Sequence, residues 1–222
     1  MNNSHRQPLQ IAMVHDLVCS WCPIAYNNIK TAIDNLNMEV DFHFLPFELN
    51  PNMAASGELI STYFNRQFGW DKHKLLNYQK SLVTTATKSG VKIDFSKRKF
   101  YYNTHQAHLL LHWAQSSNNH IALYEYLIRG YFSEGLNISN LNVLLNIAEN
   151  SGLDRGEAAA ALNSKQLEQT LQITKQRYKA FNIKGTPAFI LNETELVSGS
   201  NSVDFFEKLL QQYQQTQLPL VK

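Results

Sequence analysis

The sequence predicts an α/β fold in which a β-α-β unit and a β-β-α unit are separated by a long helical block. Three observations carry this prediction. Residues 9–14 read as a short strand, 24–36 as an amphipathic helix, and 38–49 as a second strand that alternates early and then turns apolar. From residue 58 to about 182 strand-like runs disappear and helical periodicity takes over. Strand character then returns at 186–191 and 195–198, ahead of a last amphipathic helix at 203–214.

The first strand is short and apolar, and the helix after it has room to cross back over the sheet. Such a crossover implies that the first two strands are parallel. Pro46 and Pro51 bracket the end of the second strand, and Pro51 is expected to close it. The middle of the chain reads as helices at 59–68, 72–89, 104–116, 120–132, 141–151, 155–162 and 165–181. Asp71 and Ser139 stand where N-caps belong, and Gly90 and Gly152 where helices should stop. Near the end, the turn-like run Asn192-Glu193-Thr194 joins two strands that should form an antiparallel hairpin. The order β-α-β, helical block, β-β-α is that of a thioredoxin fold carrying a large all-helical insertion. We divide it as 1–55 and 183–222 for the thioredoxin-like part and 56–182 for the insertion.

The only two cysteines among 222 residues are Cys19 and Cys22, in the run Asp16-Leu17-Val18-Cys19-Ser20-Trp21-Cys22-Pro23. They fall where the first strand hands over to the first helix, the place of a thioredoxin-like redox motif. A dithiol that cycles with a disulfide needs two sulfurs able to meet at about 2 Å without backbone movement. Two intervening residues at a helix start allow that. Cys19 lies outside the helix, near its free N–H groups and positive dipole end, so its thiolate is favoured. It is therefore the expected nucleophile, exposed to solvent. Cys22, one turn in, is the resolving thiol. Pro23 loses nothing by lacking an N–H there. A zinc site would need two further ligands, and no second pair lies at a suitable spacing. A chain of this length does not depend on a structural disulfide.

Gly185-Thr186-Pro187 opens the third strand. A proline lacks a ladder N–H and belongs at a strand start or edge. In a thioredoxin-like fold this loop faces the cysteines. A cis Thr186-Pro187 bond would present the Thr186 backbone to an incoming extended chain. His105, His108 and His112 share one helix face. The bland reading is a polar stripe; one of them bordering the thiols is the sharper one, and a metal site is disfavoured because no carboxylate accompanies them at helical spacing. If the turn carrying Asn103 and His108 covers Cys19, then His108→Ala should raise the Cys19 pKa. Ahead of the motif, a cationic His15 would lower the Cys19 pKa and Asp16 would raise it.

Apolar residues make up 44% and charged residues 17%, with a net charge of +2. This is a globular composition, with no basic cluster for nucleic acid and no run long enough to span a membrane. The first ten residues are polar and show no leader. If the chain starts at its native methionine, a cytoplasmic location follows, where structural disulfides are rare.

The chain resembles the DsbA-like thioredoxin family and, within it, the FrnE-type subfamily. The resemblance rests on the Asp16–Pro23 run, Pro46-Phe47-Glu48-Leu49-Asn50-Pro51, Asn103-Thr104 with Ala107-His108, and Tyr131-Phe132 with Gly135. Residues 148–153 and Gly185-Thr186-Pro187-Ala188-Phe189 complete it. It implies thiol-disulfide oxidoreductase activity, with Cys19 and Cys22 as the redox pair and Pro187 as the cis-proline. Ser20, Trp21, Thr186, Asn103 and His108 are then expected near the substrate. Ser20 stands where that subfamily often has proline, and Thr186 where valine is common. No cofactor is implied, although glutathione could serve as a thiol partner, and disulfide- or thiol-containing proteins are the expected partners. Kappa-type glutathione transferases and 2-hydroxychromene-2-carboxylate isomerases share the layout but use a serine near the position of Cys19. A glutathione-dependent reaction of that kind is the first alternative, and Cys22 argues against it. The second is a redox-responsive chaperone that uses the helical block as an apolar surface.

Overall fold

The computed structural model describes residues 8–117 and 119–216. Strand β1 (Leu9–His15) runs into helix α1 (Cys22–Asn35) and then strand β2 (Val40–Pro46). Helix α1 buries Ile24, Ala25, Ile29, Ala32 and Ile33, the spacing of a single apolar stripe. It starts at Cys22, two residues before the sequence suggested. Pro23 fits there because the first-turn N–H groups have no intrahelical partner. β2 ends at Pro46, so Pro46 closes it and not Pro51.

The middle of the chain is helical as expected, with one addition. β3 (Glu58–Leu59) pairs antiparallel with β4 (Phe100–Tyr101). Two residues per strand are too few for a period-2 pattern to show. Between and after them lie α2 (Ile60–Phe68), α3 (Lys72–Lys88), α4 (His105–Ala114), α5 (His120–Phe132), α6 (Leu141–Asn150), α7 (Arg155–Leu162) and α8 (Lys165–Arg177). Asp71 caps α3 by accepting from the Lys74 N–H at 2.7 Å. The cap of α6 is Asn140, whose side chain accepts from the Val143 N–H, and not Ser139. Gly90 and Gly152 each sit one residue past the caps Ser89 and Ser151, at φ +70° and +87°.

The chain returns through β5 (Ala188–Leu191) and β6 (Glu195–Ser198) to helix α9 (Val203–Thr216). The sheet order is β2-β1-β5-β6, with β1 parallel to β2 and the other neighbours antiparallel. Val14 sits opposite both Leu45 and Ala188, so the C-terminal end of β1 stands beside the start of β5. That register brings the loop after β1 next to the loop before β5. Helices α1 and α9 pack together, and Phe189 of β5 meets Phe206 of α9 at 5.1 Å between ring centroids. Val14, Leu45, Ala188 and Ile190 form a smaller cluster with Tyr178, Phe181 and Ile183. One continuous apolar core runs from the sheet into the helical segment.

Candidate active site

Two successive turns lead from β1 into α1. The Cys19 N–H donates to Asp16 O and the Cys22 N–H to Cys19 O, both at 3.1 Å. This winding leaves Cys19 outside the helix and makes Cys22 its first residue. Both cysteines are free thiols. Cys19 is 7% exposed and Cys22 is not exposed at all. The expected order of access therefore holds, but Cys19 is recessed and not openly exposed. Trp21, between them, is 37% exposed.

Thr186-Pro187 is a cis peptide bond, and the Cys19 thiol donates to the Thr186 carbonyl oxygen at 3.6 Å. The Thr186 hydroxyl is buried and has no hydrogen-bond partner in the resting thiol arrangement. A hydrogen bond from this hydroxyl to Cys19 favours the ionised sulfur. The Cys19 pKa lies below its ordinary value. A hydrogen bond from the Cys22 thiol is the main cause, opposed by burial and helped by Thr186 and the Trp21 N–H. Asp16 acts against the shift, the sign expected from the sequence. Burial pushes the Cys22 thiol well up, and its bond to Cys19 adds to that. One thiol is thus poised to ionise and the other to hold its proton, a division that suits nucleophile and resolving thiol.

Ser20 is buried and accepts a hydrogen bond from Arg98 Nη1 at 3.0 Å. Arg98 is itself buried, and its Nη2 donates to the Val18 carbonyl oxygen, also at 3.0 Å. Sequence reasoning missed this residue because it lies in Lys97-Arg98-Lys99, which reads as a solvated basic run. The signal that could have found it is the aromatic flank, Phe95 on one side and Phe100-Tyr101-Tyr102 on the other.

The model of the DSBA-like thioredoxin domain matches residues 10–211. The chain belongs to this family. Among its relatives, it is 27% identical over 203 residues to the uncharacterized protein YwbO of Bacillus subtilis, covering 91% of this chain and 96% of that protein. Among solved structures it resembles the probable DsbA oxidoreductase SCO1869 of Streptomyces coelicolor. That pair has a TM-score of 0.87 and 22% identity over 96% of this chain and 93% of the other. The cytosolic disulfide reductase DsbM of Pseudomonas aeruginosa, solved with GSH, has a TM-score of 0.65 and 14% identity, over 93% and 99% of the two chains. These likenesses establish the fold.

Within this DSBA-like domain the remaining candidates lie around the cysteine loop in different ways. His108 is buried on α4, and its Nε2 lies 3.4 Å from Asp16 Oδ1 without hydrogen-bond geometry. It meets the carboxylate of the loop and not the Cys19 thiol. Asn103 donates through Nδ2 to the carbonyl oxygens of Pro51 and Met53, at 3.2 and 3.0 Å. Its Oδ1 accepts from the His105 N–H at 2.9 Å, so it ties the start of α4 to the loop after β2. Its polar atoms are spent on backbone, and the expectation that it reaches toward the thiol is replaced by that anchoring role. His15 is fully buried, and burial, aided by neighbouring His108, lowers its pKa well below the ordinary value. It is neutral, so the expected help from a cationic His15 is absent. The three histidines of α4 go to separate partners: His105 to Glu48 and Glu168, His108 to Asp16, and His112 to Thr170. The carboxylates come from other elements, which helical spacing does not reveal.

Proposed function

We propose that the chain is a thiol-disulfide oxidoreductase in which Cys19 attacks and Cys22 resolves. The observation that carries this is the geometry of the pair: Cys19 outside the helix start with its thiol on the Thr186 carbonyl oxygen beside the cis bond to Pro187, and Cys22 fully buried as the first residue of α1. The Cys19 thiolate attacks a substrate disulfide R–S–S–R′ and displaces R–S⁻, leaving a mixed disulfide to R′. Cys22 loses its proton and attacks Cys19, forming the Cys19–Cys22 disulfide and releasing R′–S⁻. Two electrons pass to the substrate, and the proton lost from Cys22 is taken up by a released thiolate. Run backwards, the same steps oxidise a dithiol. Pro187 and Thr186 flank the attack site, and the Thr186 backbone would pair with an extended substrate segment once the thiol proton is gone. Trp21, exposed between the cysteines, offers an apolar contact to that segment. We take disulfide- or thiol-bearing proteins as substrates, glutathione as a candidate thiol partner, and the cytoplasm as the compartment. That DsbM was solved with GSH supports the glutathione part of this reading.

The test is site-resolved alkylation of the reduced protein at mildly acidic pH. Cys19 should react well before Cys22, and equal labelling would sink the assignment. Cys22→Ser should accumulate mixed disulfides, because nothing remains to release them. Insulin-disulfide reduction by the wild type, set against glutathione conjugation, separates this reading from a glutathione-dependent isomerase or transferase, which has no need of Cys22.

A further inference from the structure

We propose that Arg98 is a positioning residue of the dithiol loop: its guanidinium grips the residues on both sides of Cys19 and holds a fixed positive charge against that loop. The inference rests on the oxidoreductase reading above.

The geometry is specific. One nitrogen of the fork bonds the Ser20 hydroxyl and the other the Val18 carbonyl, both at 3.0 Å, so the planar head straddles Cys19. Four rings surround it, with the guanidinium carbon 4.5 Å from the centroid of Phe132, 4.8 Å from Tyr131, 5.2 Å from Tyr101 and 5.4 Å from Phe95. Their negative faces favour the cation but do not neutralise it. Among the described residues no carboxylate forms an ion pair with Arg98. The anion that forms between its two bonding partners is the Cys19 thiolate.

The segment carrying Arg98 is itself fixed. The Asp94 N–H donates to Phe132 O and the Arg98 N–H to Asp94 O, both at 2.8 Å. Gly135, at φ +71°, lies so close that a Cβ there would fall 2.3 Å from Lys97 O. The clamp therefore connects the end of α5 to the cysteine loop. Besides Arg98, the titratable groups that face Cys19 are Cys22, Asp16, Tyr78, Tyr101 and Tyr124, and burial holds the three tyrosines neutral.

The experiment compares the wild type with Arg98→Met, Arg98→Lys and Ser20→Ala. Thiolate absorbance is followed against pH, and the reduction potential is measured in glutathione buffers. Arg98→Met should raise the Cys19 titration by about one unit and slow its alkylation about tenfold at acidic pH. Destabilising the reduced state tenfold makes the potential about 30 mV more negative. Arg98→Lys keeps the charge without the fork and should recover most of the shift. Ser20→Ala should move the titration slightly in the same direction. Wild-type titration and potential in both Arg98→Met and Ser20→Ala would overturn the proposal. Equal shifts in Arg98→Met and Arg98→Lys would overturn the charge role. If Arg98→Met does not fold, Ser20→Ala decides alone, and an unshifted curve overturns the inference. A wild type that forms no Cys19–Cys22 disulfide in any buffer refutes the oxidoreductase reading instead, and the thiolate titration, which needs no turnover, still tests Arg98.

Discussion

Asp16 is the residue on which three parts of the chain converge. Its Oδ2 accepts from the Leu49 N–H at 2.7 Å, its Oδ1 from the Val18 N–H at 3.5 Å, and His108 of α4 stands 3.4 Å away. A buried carboxylate is tolerated only when such partners replace water. His108→Ala leaves both hydrogen bonds to Asp16 in place but empties the buried space that the imidazole fills, and should cost about 2–4 kcal/mol of stability through lost packing. The Cys19 titration should stay within a few tenths of a unit, since His108 meets Asp16 and not the sulfur. Denaturant unfolding and thiolate absorbance on the same variant check both halves. A shifted titration at unchanged stability would place His108 on the thiol after all. At this scale the sequence showed what is local. Cys19 and Cys22 are written in a short motif, and the cis Thr186-Pro187 bond followed from the family resemblance that this motif supports. Arg98 and the partners of Asp16 were hidden, because pairing across 33, 78 or 80 positions depends on packing that no short window contains.

At the scale of elements, the helical segment is tied to the sheet by a clasp of charges. His105 on α4 lies between Glu48 of the loop after β2, at 3.1 Å, and Glu168 on α8, at 2.8 Å, and Lys175 on α8 also bonds Glu48. Bonds to Glu48 and Glu168 raise the His105 pKa against the opposing effect of burial. Burial alone would raise Glu48, but its bonds to His105 and Lys175 prevail and bring it to about 2. A raised histidine contributes fully below its unfolded pKa of about 6.5 and loses that contribution as pH rises through the folded value. A depressed carboxylate contributes above about 4.5 and loses it as pH falls toward 2. The clasp is therefore strongest between about pH 4.5 and 6.5. His105→Gln should lower Tm most in that window and leave the alkaline side nearly unchanged. Melting curves from pH 4 to 9 read this directly, and a pH-independent loss would mean that the charge on His105 does not matter. Helix spans were largely legible, because each carries its own period; His120–Phe132 and Arg155–Leu162 fall where the pattern put them. The β3–β4 pair was not, since two-residue strands have no period to show.

For the whole molecule, folding and redox state are linked through the two thiols. The folded chain holds the Cys19 pKa below its unfolded value and the Cys22 pKa above it. A depressed thiol adds stability that is present above the unfolded pKa, about 8.5, and lost as pH falls through the folded value. A raised thiol does the reverse, and its contribution is lost as pH climbs past the unfolded value. The oxidised chain has no cysteine to titrate, so it supplies the baseline. The stability of the reduced protein relative to the oxidised one should therefore grow as pH rises from the folded Cys19 pKa toward about 8.5, and shrink again beyond it. By the same cycle, whatever stabilises the reduced fold makes the disulfide a stronger oxidant, so the potential, taken relative to that of the unfolded dithiol at the same pH, follows the same curve. Urea unfolding of both redox forms without oxygen, at half-unit steps from pH 5 to 10, measures the difference. A gap that rises and then falls, with its maximum near the unfolded thiol pKa, is the expected outcome. A gap that is flat between pH 5 and 9 would show that Cys19 is no better ionised in the folded chain than in the unfolded one, and the assignment of the nucleophile would go with it.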